Sequence, residues 1–294
     1  MKAPAFDYAR PTTFDEAFAL LARHGDDARI IAGGQTLLAT LNMRLSEPRV
    51  LVDLKDIRGL RGISLQRGHV RIGALTRHSE IEDSALVARH VPLLARAAPH
   101  VAHRAIRNRG TLGGSLAYAD PAAEWPACAL ALDATILLKG AGGERRVKAS
   151  DFFLDLYTTA LRPGEVLTAC EFPLSSSTVR VHFNELVRRH GDYAIVGVAA
   201  RVDIAEGVIR HPRLAFMGTG TVPMLATATA ASLEGASLND LNEALGQATQ
   251  RLREELQPIA DLYNTAPTKQ HLACVLLRRA VTDLCRSAEG VCHE

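Results

Sequence analysis

Ala28-Arg29-Ile30-Ile31-Ala32-Gly33-Gly34-Gln35-Thr36-Leu37-Leu38-Ala39-Thr40-Leu41 is the stretch on which the fold turns. Ala28 to Ile31 is an apolar run that reads as a strand, and Leu37 to Leu41 reads as the first turns of a helix. Ala32-Gly33-Gly34-Gln35-Thr36 joins them. A strand, a glycine pair and a helix start form a geometry suited to phosphate. Glycine lets the backbone approach an anion and adopt positive φ, and the amides at a helix start point toward negative charge. Gln35 and Thr36 add side-chain donors.

A second stretch of the same character lies downstream, Arg109-Gly110-Thr111-Leu112-Gly113-Gly114-Ser115. Two such loops can hold the two phosphates of a dinucleotide from opposite sides. Neither matches G-x-G-x-x-G or G-x-x-x-x-G-K-[ST]. Each Gly-Gly also reads as a plain tight turn, and the spacing alone leaves both readings open.

Working outward, Thr12-Thr13-Phe14-Asp15-Glu16 opens a helix with Phe14, Ala17, Phe18 and Leu21 on one face, closed at His24-Gly25. Arg49 to Leu54 reads as a strand. Ile63 to Gln66 and His69 to Gly73 read as a hairpin turned at Arg67-Gly68. Thr76 is expected to cap a helix through His78, Ile81 and Glu82, and Val91 to Ala98 to form another. Ala102 to Ser115 reads as a loop region, Ala122 to Leu132 as a helix holding the single tryptophan, Trp125. Thr135 to Lys139 and Val166 to Phe172 read as strands. After the polar patch Ser175-Ser176-Ser177-Thr178 the style changes. Val179 to Val187, Ala194 to Asp203 and Val208 to Met217 read as long antiparallel strands. Met224 to Leu233, Leu238 to Leu252 and Lys269 to Arg286 read as helices covering one face. The fold class is α+β.

The 294 residues carry 34 basic and 32 acidic side chains, a net charge of +2. No basic stripe or aromatic platform points to nucleic acid. No apolar run reaches membrane-spanning length. Met1 to Asp7 lacks the apolar core of a signal peptide, so a cytoplasmic location is expected. The five cysteines are scattered without a C-x-x-C, which excludes clustered zinc or iron–sulfur ligation. They read as buried small hydrophobes, with Cys292 exposed in the tail.

The chain resembles the FAD-binding medium subunit of the molybdenum hydroxylases, the group of aerobic carbon monoxide dehydrogenase and of the xanthine, quinoline and nicotine-type dehydrogenases. The resemblance is carried by Pro4-Ala5-Phe6-Asp7-Tyr8, Arg29 to Leu38, Ile72-Gly73-Ala74-Leu75-Thr76-Arg77-His78, Ile106 to Ala117, Asp120-Pro121-Ala122-Ala123-Glu124 and Arg188-Arg189-His190-Gly191-Asp192-Tyr193-Ala194. It implies a vanillyl-alcohol-oxidase (PCMH)-type FAD-binding domain over residues 1–175, built of two α/β subdomains that meet near 55–60. A carbon monoxide dehydrogenase flavoprotein-like C-terminal domain would occupy 176–294.

The resemblance also implies a site. FAD pyrophosphate would be wrapped by Ile31, Ala32, Gly33, Gly34, Gln35, Thr36 and Leu37 and met from the other side by Gly110, Thr111, Gly114 and Ser115. Ala102 and Ile106 would stand beside them. Ala117, Tyr118, Asp120 and Glu124 would lie along the ribityl and adenosine part, Leu161 and Tyr193 near the flavin ring. No catalytic acid, base or nucleophile and no metal site is expected. The FAD would be non-covalent, so His78, His100 and His103 are not read as flavin attachment points. His100-x-x-His103 reads as a solvated loop pair rather than half a metal site. Asp192 reads as either a turn cap or a general base. Arg107 and Arg109 read as phosphate partners, as loop fasteners or as facing a partner chain. Trp125 reads as core. Thr36 replaces the commoner serine and keeps the hydroxyl. Asn184 stands where some relatives carry a lysine near the ring. No cysteine-bearing insertion is present for an extra cluster.

Implied partners are a [2Fe-2S] small subunit and a molybdenum-cofactor large subunit, in a dimer of heterotrimers. The function implied is electron relay from those clusters through FAD to an external acceptor. A self-contained flavin oxidase or reductase and a non-catalytic flavin-binding assembly module are the alternative readings.

Overall fold

The computed structural model describes residues 2–289, so Cys292 lies outside the described residues. The chain opens with β1 (Asp7–Ala9), α1 (Phe14–His24), β2 (Ala28–Ile31), α2 (Leu37–Asn42) and β3 (Val50–Asp53). The strands form a parallel sheet in the order β1-β3-β2. Thr13 caps α1, its side chain accepting from the Glu16 amide. Ala17 and Phe18 of α1 bury against Val50, Val52 and Leu60.

The second layer comprises β4 (Ile63–Gln66), β5 (His69–Gly73), α3 (His78–Glu82), α4 (Ala85–His90), α5 (Pro92–Ala97), α6 (Arg104–Arg107), α7 (Leu112–Tyr118), α8 (Glu124–Ala131), β6 (Thr135–Gly140), β7 (Gly143–Lys148), β8 (Phe153–Asp155), β9 (Thr158–Thr159) and β10 (Val166–Pro173). Its main sheet runs β4-β5-β10-β6-β7 and is antiparallel. β10 is central, which explains its near-continuous apolar run; Pro173 ends it rather than standing outside it.

The third layer holds β11 (Val179–Leu186), β12 (Val196–Ala205), β13 (Val208–Met217), β14 (Met224–Leu225), α9 (Thr227–Leu233), α10 (Leu241–Glu255) and α11 (Ala266–Glu289). The sheet order β11-β12-β13-β14 is antiparallel. α9, α10 and α11 cover one face, where Val198, Leu214 and Phe216 meet Leu276, Leu277 and Leu284. The other face is covered by α5 and α8: Val181, Phe183 and Met217 share a core with Trp125, Leu130 and Ile72. Arg213 of β13 fastens this seam by donating to the carbonyls of Leu130 (2.7 Å) and Ala131 (3.1 Å) at the end of α8.

Several sequence expectations are corrected here. Thr76 does not cap α3. Its hydroxyl is engaged with the amide and carbonyl of Gly62, and Arg77 is the capping residue, with Glu80 reaching back to the Arg77 amide. The region 102–115 is not all loop, since α6 lies within it and α7 begins at Leu112. Met224-Leu225 pairs with β13 before α9 begins. The helix expected from Leu238 starts at Leu241, after a short 3-10 turn.

Candidate functional site

The first glycine loop leaves the sheet at Ile31. Gly34 has φ +71, the left-handed region where a Cβ is strained. The α2 ladder opens with Leu38 N–H donating to the Gly34 carbonyl (3.1 Å). The amides of Gln35, Thr36 and Leu37 therefore precede the ladder, and successive amides in such a turn form an anion-binding concavity. Thr36 makes no side-chain capping bond. Gln35 is not a free donor: its Nε2 donates to the Gly33 carbonyl at 3.2 Å and braces the loop.

Gly33 is glycine for a different reason. A Cβ there would sit 2.4 Å from the Arg109 carbonyl oxygen and 2.7 Å from Gly110 Cα. The two glycine loops thus touch backbone to backbone. They are not equivalent, contrary to the sequence reading. The second loop turns its amides inward: Leu112 N–H donates to Thr76 (3.0 Å), Gly113 N–H to Ala74 (2.8 Å) and Gly114 N–H to the Thr111 hydroxyl (3.2 Å). Gly110 and Gly113 answer packing, since a Cβ would meet the His78 ring at 2.7 Å and Ala74 at 2.5 Å. Gly114 faces the first loop, with Ala32 nearby. This loop therefore carries hydroxyl residues and close backbone rather than a set of free amides.

The support beneath is buried. Trp125 Nε1–H donates to His78 Nδ1 at 2.9 Å, fixing the neutral tautomer with its proton on Nε2. Burial, and secondarily the Arg107 charge, pushes the His78 pKa down to about 3. Trp125 is core, as expected. Arg107 is the loop fastener of its three readings: it donates to the carbonyls of Pro99, Val101 and Ala102 and pairs with Glu82. Arg109 is exposed. His100 and His103 do not act as a pair. His100 Nδ1 lies 3.5 Å from Glu185 Oε1 and its ring packs on Phe183, whereas His103 meets His190 and Gly191. Ala102, which precedes His103, has φ +46, and Ile106 is exposed on α6. Asp192 pairs with Arg188 at 3.4 Å on the surface.

Past α7, acids and phenols converge. Ala119 caps α7 in the left-handed region, φ +56. Asp120 accepts from the Ala122 amide at 2.9 Å, and burial raises its pKa. Glu124, in the first turn of α8, is pushed up to about 8 by burial, with the charges of Glu185 and Asp120 adding to it. Tyr118 and Tyr157 stand with ring centroids 5.0 Å apart. Tyr193 is 64% exposed, yet desolvation first, then the charge of Asp120, pushes its phenol up to about 12.

Asn184 is not on this side. His182 reaches Asp283 of α11 (3.5 Å) and Leu186 packs on the α11 core, so alternation sends Asn184 the same way. Glu185 occupies the opposite face, its side chain 3% exposed and its Oε2 without a hydrogen-bond partner. The sequence reading missed Glu185 and Tyr157.

A groove of about 990 Å³ opens between α1 and β2 on one side and the β6–β7 turn and residues 161–165 on the other. Leu161 and Ala117 line it with Ile30 and Arg29; Tyr193 is not among its lining residues. Its size accommodates a nucleoside. An anion-binding turn, a nucleoside-sized groove and an aromatic-acid cluster are the parts that a site for a flavin dinucleotide needs. Among the described residues no group of His, Cys, Asp and Glu is placed to hold a metal ion, and no helix is long and apolar enough to cross a membrane.

The comparisons agree with that class. A family model described as the FAD binding domain in molybdopterin dehydrogenase matches residues 4–175, and one described as the CO dehydrogenase flavoprotein C-terminal domain matches 181–284. The chain belongs to this FAD-binding family of molybdopterin dehydrogenases, that is, to the medium-subunit flavoproteins. It is 36% identical over 282 residues to the 6-hydroxypseudooxynicotine dehydrogenase complex subunit alpha of Paenarthrobacter nicotinovorans, covering 96% of this chain and 95% of that one. It superposes on a chain of carbon monoxide dehydrogenase from Hydrogenophaga pseudoflava with a TM-score of 0.94 at 34% identity, covering 97% and 98%. Quinoline 2-oxidoreductase from Pseudomonas putida 86 gives 0.92 at 37% identity, covering 98% and 99%.

Proposed function

We propose that this chain holds FAD non-covalently and relays electrons within a heteromeric molybdenum hydroxylase. The observation that carries the reading is the contact of the two glycine loops at Gly33, beside the amides of Gln35 to Leu37. A Cβ would part the two loops, so Gly33 lets them pack backbone to backbone and sets the Gln35 to Leu37 amides beside the second loop. Ile31 to Leu37 would hold the pyrophosphate, with Thr111, Gly114 and Ser115 against it. Leu161, expected near the ring, lines the groove with Ala117, so both would serve the adenosine, and the Asp120–Tyr193 cluster would serve the ribityl and ring. Bound FAD supplies the exchange between single-electron clusters and a two-electron acceptor. The protein's own part is binding, orientation and electrostatics: burial raises the pKa of Asp120 and pushes that of Glu124 up to about 8, and His78 keeps the floor neutral.

Histidine does not attach the flavin in this reading. His78 is buried with its Nδ1 already accepting from Trp125. FAD binding belongs to residues 1–175, divided near 55–60, and the layer from 176 onward completes the ring end through Tyr193. The partners are a [2Fe-2S] chain and a molybdenum-cofactor chain, assembled as a dimer of heterotrimers in the cytoplasm.

The test is reconstitution with a dye acceptor. Candidate substrates are quinoline, carbon monoxide and 6-hydroxypseudooxynicotine, the compounds in the relatives' names. The isolated chain should give no substrate-dependent flavin reduction, and its co-purifying partners should restore it for a substrate the complex oxidises. Substrate-dependent bleaching by the isolated chain would establish a self-contained flavoenzyme instead. FAD that no donor reduces in the assembled complex would mark an assembly module.

A further inference from the structure

We propose that Tyr157, in the β8–β9 turn, is a positioning residue that contacts the isoalloxazine end of FAD; the assignment rests on the FAD reading above.

Leu156 and Tyr157 form the turn between Asp155 and Thr158, which are paired across it. Tyr157 has φ +52, the second turn position where glycine or asparagine is the residue without strain. A tyrosine there is held against its own backbone preference. Such outliers cluster where a side chain must be aimed. The neighbouring hydrogen bonds lock the turn: Leu156 N–H donates to Asp155 Oδ1 (2.7 Å) and the Thr158 hydroxyl to the Leu156 carbonyl (3.1 Å).

The ring is aimed at Tyr118, 5.0 Å away and tilted by 52°. Tyr118 ends the helix that starts in the second glycine loop. Tyr157 also senses the charge of Asp120, and the Tyr193 phenol senses Asp120, Tyr118 and Tyr157 together. Tyr118 and Tyr157, from two separate segments, therefore form one aromatic pair, and Tyr118 stands two residues along the chain from Asp120. Tyr157 remains 52% exposed, so the cluster is not a closed core. An aromatic face left half open beside a polar group is what a planar heteroaromatic ligand takes. The same segment continues to Leu161 in the groove, spanning about 13 Å of extended chain. One strap thus links the nucleoside groove to the aromatic pair, with α7 alongside. Nothing in the sequence around Tyr157 marks it, because the turn position is one where glycine is expected.

The experiment measures FAD and ADP dissociation constants, flavin fluorescence and thermal midpoint for the full chain with whatever partner chains co-purify, in wild type, Tyr157→Gly and Tyr157→Phe. Tyr157→Gly relieves the turn, so the apo thermal midpoint should hold or rise. FAD should bind about tenfold more weakly, the size of one aromatic contact, and bound-flavin fluorescence should increase as a quenching ring is lost. ADP affinity should not move, because ADP lacks the ring. Tyr157→Phe should behave as wild type. Unchanged FAD affinity and fluorescence in Tyr157→Gly would overturn the assignment and leave a turn residue. A parallel loss of FAD and ADP would overturn it too, showing an effect through the fold. Wild-type protein that takes up neither would sink the FAD reading itself, and this assignment with it.

Discussion

Gly33→Ala is the smallest change that addresses the loop contact. The added methyl would lie 2.4 Å from the Arg109 carbonyl oxygen, 2.7 Å from Gly110 Cα and 2.9 Å from the Arg109 carbonyl carbon. All three are backbone atoms, so no side chain can swing aside. A comfortable carbon contact is about 3.5 Å, so the loops must part by roughly 1 Å. Overpacking of this kind costs about 1–3 kcal/mol, and a loss of that size in FAD binding is about 5- to 150-fold. Titration of apo protein with FAD, followed by flavin fluorescence, reads the loss, and a melt without FAD reads the cost to the fold. Gly246→Ala in α10 is the control, because nothing lies within 4 Å of its added carbon and it lies outside the groove. FAD affinity within twofold of wild type for Gly33→Ala would show that the loop contact has no part in the site.

His78→Leu leaves the buried Trp125 N–H without its acceptor and should cost about 1–3 kcal/mol in chemical denaturation, whereas His78→Gln can keep the bond. The His78 pKa falls from 6.5 to about 3 on folding, so the unfolded chain binds the extra proton and stability declines as pH drops from 6.5 toward 3. Denaturation series across that window should show a shallower acid limb for His78→Gln. Glu124 moves the other way, raised from 4.5 to about 8, so its contribution is complete below 4.5 and lost as pH rises through 8. Glu124→Gln should flatten apo stability between those values; an unchanged slope would mean that Glu124 is ionised at neutral pH.

Much of the first loop was legible because its local signals agree: an apolar strand, a glycine pair, then a helix former. The second loop was legible as a glycine-rich segment but not as structure. Gly113 and Gly114 disfavour helix, yet they lie in α7 because Thr111 caps it and Leu112 and Gly113 are tied to the 74–76 backbone. Those are long-range bonds that no local pattern reveals. Thr76 looked like a cap, but its hydroxyl is consumed by Gly62. β11 is buried on both faces, so alternation separates Asn184 from Glu185 without saying which side holds the site. Tyr157 was hidden for a related reason, since positive φ leaves a signature only when glycine or asparagine occupies it.

The most direct measurement is the flavin content of the purified protein before and after acid precipitation. The account predicts FAD, not FMN, released wholly into the supernatant at one molecule per chain, and loss of that FAD in Gly33→Ala after dialysis. Colour retained in the pellet would contradict non-covalent binding, and protein purified with its partner chains yet carrying no flavin would contradict the central claim.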